Sequence, residues 1–305
     1  MTHPLGLSRS RVSVMGILNV TPDSFSDGGR FHDPARGVAA AVERAHAIAR
    51  VGGAILDLGG ESTRPGSDPV TIDEELARVV PVLEALPDDF PLPISIDTRR
   101  AAVADAAHAR GATILNDTAA LRDDPELAAL AAERGMTVVL MHRRGTPATM
   151  QSDLDGGDAP YTDVVDEVRA FFEGRVECAL AAGIAREKLV LDPGIGFGKR
   201  FEDNDRLLAH LDDLRLPEIP LLVGASRKAF LGRFGALGDE RRAEGSAAPA
   251  DERLPSSLAV AAVCAAAGVE ILRVHDVAAT VGFLDALRTF TGASRSDAAS
   301  EGGSA

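Results

Sequence analysis

Eight short apolar runs recur along the chain, separated by longer stretches rich in Ala, Leu, Arg and Glu. The runs are Val12–Leu18, Ala54–Leu58, Pro93–Ile96, Ala112–Leu115, Thr137–Met141, Leu189–Leu191, Pro220–Val223 and Glu270–Val274. Several are nearly continuous hydrophobic segments without polar alternation, the pattern of parallel strands buried on both faces. The intervening stretches read as helices: Pro34–Val51, Ile72–Ala85, Arg99–Arg110, Pro125–Arg134, Tyr161–Ala182, Asp203–Leu214 and Ser257–Ala267. Gly53, Gly111, Gly135 and Gly268 precede strands, where helix C-caps are expected. Eight strand-then-helix units in 305 residues predict an α/β chain folded as a single (β/α)8 TIM barrel rather than two domains or an open doubly wound sheet. The expected layout is an N-terminal extension over residues 1–11, a barrel over 12–291 and a disordered polar tail over 292–305. Residues Asp239–Pro255, polar and rich in Gly, Pro and Ala, are expected as a mobile excursion after the seventh strand.

Charge narrows the partners. Against 32 Lys and Arg stand 46 Asp and Glu, a net charge of −14. That balance argues against nucleic acid or an anionic membrane surface as partner, so an anionic ligand must be met by a local basic cluster. Only Lys188, Lys199 and Lys228 supply lysine, which makes each worth following. Two cysteines, Cys178 and Cys264, in helical stretches suit buried thiols in a reducing, cytoplasmic compartment. No secretory signal and no run of membrane-spanning length is expected. The seven histidines lack metal-ligand spacing.

In a barrel of this type function gathers where strands end. Those positions hold Asn19, Asp57, Asp97, Asn116, His142, Asp192, Ser226 with Lys228, and Arg273 with His275. A single Asx or Ser after a strand is commonly a turn former or helix cap; eight such positions on one rim point to a site. Arg64, Arg273 and His275 form a candidate anion clamp, because guanidinium donors match phosphate in pairs. The loop from Asn19 to Gly29 suits a lid that supplies backbone donors and an Asn oxygen, with Mg²⁺ held mainly through phosphate. Asp97, Asn116 and Asp192 can accept the N–H groups of an amino-pyrimidine-like ring, and nearby carboxylates stabilise developing positive charge. Lys228 can donate to a carbonyl oxygen or ring nitrogen, or form a Schiff base. Gly194-Ile-Gly-Phe-Gly-Lys199 resembles a nucleotide-binding loop but has Pro193 and Arg200 where that loop needs Gly and Ser or Thr. It reads instead as a tight turn beside a flat ligand, with Phe197 available to stack.

Met15–Gly29 and Asp57–Gly66 closely resemble the signature loops of the dihydropteroate synthase family. So do Ser95-Ile-Asp-Thr98, Asn116-Asp117, Leu140-Met-His142, Leu191–Lys199, Ser226-Arg-Lys228 and Arg273-Val-His-Asp276, in unbroken order from Val12 to Phe290. The resemblance implies a homodimeric barrel enzyme. It would condense 6-hydroxymethyl-7,8-dihydropterin diphosphate with 4-aminobenzoate, releasing diphosphate by an SN1-like displacement in folate synthesis. It implies pterin contacts from Asp97, Asn116, Met141, Asp192, Phe197, Lys228 and Arg273, with Asp97, Asp192 and Lys228 catalytic. Diphosphate would meet Asn19, Thr63, Arg64, Arg273 and His275, with Mg²⁺ at Asn19. Aminobenzoate, and sulfonamides competing with it, would meet Phe25, Thr63, Arg64, Pro65, Phe197, Ser226 and Lys228. The chain departs from the family pattern in its Asp239–Pro255 stretch, at Ser256 and at Arg143-Arg144. The alternatives are a methyltetrahydrofolate-type pterin-binding methyltransferase, which needs neither the Thr21–Gly29 loop nor Ser226-Arg-Lys228, and a non-catalytic pterin-binding paralogue.

Overall fold

The computed structural model describes residues 12–21, 34–61, 69–145, 161–234 and 247–292. Phe25, Thr63, Arg64 and Pro65, most of the Thr21–Gly29 loop, both chain ends and residues 239–246 of the expected excursion lie outside them.

The apolar runs form strands β1 (Ser13–Asn19), β2 (Ile55–Gly59), β3 (Ile94–Asp97), β4 (Ala112–Asp117), β5 (Thr137–Met141), β6 (Leu189–Asp192), β7 (Leu222–Val223) and β8 (Ile271–Val274). Helices α1 (Pro34–Arg50), α2 (Ile72–Ala85), α3 (Ala101–His108), α4 (Leu127–Glu133), α5 (Val164–Ala181), α6 (Phe201–Ala209), α7 (Leu254–Ala266) and α8 (Val277–Thr291) follow the strands in turn. All strand neighbours are parallel, in the order β6-β5-β4-β3-β2-β1-β8-β7. One further parallel bridge, Leu191 to Leu221, draws β6 and β7 together. The result is the (β/α)8 TIM barrel that the eightfold alternation predicts.

Helix boundaries shift for local reasons. α5 starts at Val164 rather than Tyr161 because the Asp163 carboxylate accepts the N–H groups of Val165 and Asp166. α6 starts at Phe201 and stops at Ala209; His210 leaves the helical region and a 3-10 turn, Leu211–Leu214, completes the segment. α7 begins three residues before the expected Ser257. Pro255 sits in its first turn, where a missing N–H costs no helical bond. Part of the expected excursion is therefore ordered, as α7 and the 3-10 turn Ala250–Arg253 before it.

Side-chain alternation places the site. Met15, Ile55, Ile114, Val139, Val190, Leu222 and Ile271, from seven strands, meet as one buried cluster. Strand side chains alternate between faces, so the residues two positions further on share that interior. They include Asp57, Asn116, Met141, Asp192 and Arg273. Leu56, Leu115, Val138, Leu140, Leu191, Val223 and Leu272, of opposite parity, pack outward into the main core with Val79, Val103, Phe172, Leu207 and Val277. The barrel is thus plugged by hydrocarbon below and lined by polar groups above. Among the described residues no helix is long and apolar enough to cross a membrane.

Candidate active site

One guanidinium organises the floor of the rim. Asp57, fully buried, accepts the Ser95 hydroxyl at 2.6 Å, the Asn116 amide at 3.2–3.3 Å and Arg273 Nε at 2.6 Å. Arg273 Nη2 reaches Asp97 Oδ2 at 2.5 Å. Two carboxylates from β2 and β3 therefore share one cation from β8. Burial holds Asp97 well above the usual carboxylate range; Arg273 opposes the rise, and the charges of Asp57, Glu75 and Asp117 add to it. The pattern of polar strand ends includes Asp57 among the rim positions but assigns it no role. Its role becomes visible only through the contact with Arg273, 216 residues away.

The opposite wall comes from β6 and β7. Asp192 Oδ1 accepts the Gly194 N–H at 2.7 Å. Burial pushes the carboxyl up to about 6, against the Gly194 bond and the positive charges of Lys228 and Arg273. The following turn runs through Gly194, Gly196 and Gly198, all in the left-handed region. A Cβ at Gly194 would lie 1.9 Å from the His142 carbonyl oxygen, so only glycine fits this approach. The turn delivers Phe197 beneath Lys228, whose Nζ lies 3.7 Å from the ring centroid. Met141 packs against the same ring. Burial and then the Arg273 charge pull Lys228 down to about 7, opposed by Asp192 and Asp97.

Ser226 and His275 meet across β7 and β8. The Ser226 Oγ accepts the His275 backbone N–H at 3.2 Å and lies 3.2 Å from its Nδ1. Between Ser226 and Lys228, Arg227 adopts a left-handed φ of 59° that non-glycine residues rarely occupy. Three contacts hold it there: its guanidinium pairs with Asp276, its N–H donates to Ser257 Oγ at 3.1 Å, and its carbonyl accepts Arg253 Nη1 at 2.8 Å.

The expected anion clamp takes a different form. Burial, with Arg273 and Arg227 nearby, lowers His275 to about 3, so at neutral pH it is an uncharged imidazole. Arg273 already binds two carboxylates. The described part of the clamp therefore offers hydrogen-bonding edges more than free positive charge, because dehydration at the rim penalises the imidazolium.

Asn19 ends β1 beside Gly59; a Cβ on Gly59 would lie 3.6 Å from Asn19 Oδ1 and 3.4 Å from Asp97 Cβ. Among the described residues no group of three His, Cys, Asp or Glu side chains can hold a metal ion. This donor set fits a hard cation that takes one protein oxygen here and the rest from phosphate and water.

The structure thus gathers Asn19, Asp97, Asn116, Met141, Asp192, Phe197, Ser226, Lys228, Arg273 and His275 at one mouth. The strand-end pattern also missed the depth of two groups: His142 is buried, and Lys199 turns inward to meet it.

Comparison with known proteins agrees with this arrangement. The pterin binding enzyme family matches residues 15–275. A dihydropteroate synthase of Escherichia coli is 45% identical over 276 residues, covering 90% of each chain. A solved Xanthomonas albilineans dihydropteroate synthase with 4-aminobenzoic acid superposes with a TM-score of 0.80 at 42% identity, covering 93% of this chain and 95% of that one. The X. albilineans enzyme in complex with 7,8-dihydropteroate gives a TM-score of 0.78 at 40% identity over the same shares. A barrel with this rim, matched over nine-tenths of its length at such identity, belongs to the dihydropteroate synthase family of pterin-binding enzymes.

Proposed function

We propose that this chain joins the methylene carbon of 6-hydroxymethyl-7,8-dihydropterin diphosphate to the amine of 4-aminobenzoate, giving 7,8-dihydropteroate and diphosphate. The convergence of Asp97, Asn116, Asp192 and Lys228 around a dry-floored mouth carries the reading. A flat, amide-rich ring would leave few of these buried groups unpaired, whereas a ring lacking those N–H groups would leave several. In this reading Asn116, Asp97 and Asp192 accept ring N–H groups, and Lys228 donates to the ring. Met141 packs against one face, and Arg273 lies along the ring while holding Asp97.

The bond between the methylene carbon and the diphosphate oxygen breaks, and its electron pair leaves with diphosphate. The carboxylates of Asp97 and Asp192 stabilise the positive charge that spreads into the ring. The arylamine lone pair then forms the new C–N bond, and the ammonium so formed gives its proton to water or to the departed diphosphate. Arg273, His275 and Asn19, with Thr63 and Arg64, receive the leaving diphosphate. Phe197, Ser226 and Lys228, with Phe25, Thr63, Arg64 and Pro65, surround aminobenzoate. A Mg²⁺ ion at Asn19 would neutralise diphosphate charge. The solved relatives bound to 4-aminobenzoic acid and to 7,8-dihydropteroate support this choice of substrates. The reading includes a cytoplasmic homodimer; Cys264 is buried as expected, whereas Cys178 lies exposed on α5, and both are free thiols, consistent with a reducing compartment.

Purified protein, both substrates and Mg²⁺ should yield dihydropteroate and diphosphate in equal amounts. No product at saturating substrate would refute the assignment. Light scattering of the same sample should give twice the 31.8 kDa chain mass; a monomer would remove the dimer from the reading.

A further inference from the structure

Lys199 closes a motif that looks like a phosphate loop but faces the wrong way for one. Its side chain is only 3% exposed. Nζ lies 2.8 Å from His142 Nδ1, 3.0 Å from the Gly194 carbonyl, 3.2 Å from the Phe197 carbonyl and 3.4 Å from the His142 carbonyl. It makes no ion pair with any described residue. An ammonium has three donors and no acceptor, so His142 Nδ1 must be the unprotonated ring nitrogen. Burial and the neighbouring Lys199 charge lower His142 well below its ordinary range, consistent with that neutral tautomer. Burial also pulls Lys199 down to about 7, with Lys228 adding to the fall and Asp192 and Asp203 opposing it, so the ammonium at neutral pH depends on the acceptors around it.

The three main-chain oxygens come from two different segments, the exit of β5 and the turn after β6. That turn contains three left-handed glycines and would have wide conformational freedom by itself. It nonetheless carries two groups of the mouth: the Gly194 N–H that Asp192 accepts, and Phe197 beneath Lys228. Around it, the His142 ring stacks edge-on against Phe171 with centroids 4.8 Å apart, and Tyr161 donates to the Gly198 carbonyl at 3.0 Å. One buried cation thus joins the two segments, and its geometry resembles a cation in a cage of carbonyl oxygens rather than a salt bridge.

We propose that Lys199 is a positioning residue: its ammonium, caged by the oxygens of His142, Gly194 and Phe197 and by His142 Nδ1, locks the glycine turn so that Phe197 is presented to the incoming arylamine. Lys199 touches no reacting atom. It sets the register of the ring that does. The proposal rests on the substrates assigned above for its kinetic consequence, while the cage itself can be tested without them.

The cage is tested first on the wild-type protein by ¹⁵N NMR of the His142 ring. Nδ1 should report an unprotonated acceptor and the ring should not titrate between about pH 5 and 8; a protonated Nδ1 would overturn the cage whatever the activity. Kinetics follow with K199M, K199R and K199A, each checked by circular dichroism. K199M should raise KM for 4-aminobenzoate by about tenfold or more while kcat at saturation changes by less than about threefold. K199R, which keeps a cation but not its length, should recover part of the loss. K199A should be rescued by methylammonium, which can re-enter the cage, and not by sodium at equal ionic strength. Wild-type KM in both K199M and K199A would refute the positioning role. So would a fall in thermal stability with kcat and KM lost together and no methylammonium rescue, which marks a purely structural lysine. Absence of product from the wild type would strike the function assignment alone, leaving the ring spectrum to decide the cage.

Discussion

The most consequential residue at the rim is Arg273, because it acts on both sides of the site. Its guanidinium is the shared counter-ion of Asp57 and Asp97, and its side chain keeps 17% exposure toward the mouth. Removing one member of a buried ion group strands the others, which costs about 3–5 kcal/mol. Arg273→Ala should therefore lower unfolding free energy by about 3 kcal/mol in urea titrations, in addition to abolishing turnover. Asp57→Asn in the same chain removes one stranded charge, so the double variant should be more stable than Arg273→Ala alone. A double variant as unstable as the single, or more so, would contradict the shared-cation arrangement. The identity of Arg273, Asp97 and Asp192 as rim residues was legible in the sequence, since Asp97 and Asp192 each close an apolar run and Arg273 stands near the end of its own. Their pairing was not. Asp57 and Arg273 are 216 residues apart, and Lys199 and His142 are 57 apart. No local pattern links positions at such separations.

At the scale of elements, strands were easier to read than helices. A buried parallel strand leaves a short apolar run with sharp polar ends, whereas a helix end depends on capping contacts that shift it by a turn. α2 shows a strong local signal: Thr71 Oγ1 accepts the Glu74 N–H at 3.2 Å, and the Glu74 carboxylate accepts the Thr71 N–H at 2.8 Å. Asp73, Glu74 and Glu75 add negative charge to the first turn, where the helix dipole favours it. Thr71→Ala should cost about 1 kcal/mol in chemical denaturation. The variant should keep wild-type kcat; a loss of turnover without loss of stability would show that α2 reaches the site directly. The start of α7 is harder to read because Pro255 closes a polar stretch rich in Gly, Pro and Ala and yet belongs to the opening turn of the helix. That start matters for the site, since Ser257 within α7 and Arg253 just before it supply two of the three contacts that hold Arg227 between Ser226 and Lys228.

Across the whole molecule the barrel is uneven. β1, β2 and β3 pair in continuous register and β3 meets β4 over four residues with one shift at Ile94/Ser95, whereas β7 has two residues and meets β6 through a single bridge. The rim residues Ser226 and Lys228 hang from this thin seam, and Asp192 stands on its other side. Segments with few ladder bonds open at lower free energy than the global transition. Hydrogen exchange on the ligand-free protein should therefore show Leu222 and Val223 amides exchanging well before those of Leu56 and Leu115. If all four exchanged together at the global rate, the seam would be as firm as the rest. Ligand bound across the mouth would link Asp192 to Lys228 and slow the seam preferentially.

The eight-unit barrel and its polar rim are legible in one dimension, because recurring apolar runs and the polar residues that follow them are local properties of the chain. The acidic balance of the chain likewise follows from composition. The chemical state of the rim groups and the apolar plug beneath them emerge once the strands are assembled. Burial makes His275 a neutral ring, divides Arg273 between two carboxylates and turns Lys199 away from phosphate into a cage of main-chain oxygens. Protonation and pairing depend on distance and on loss of water, and neither exists until the barrel has closed.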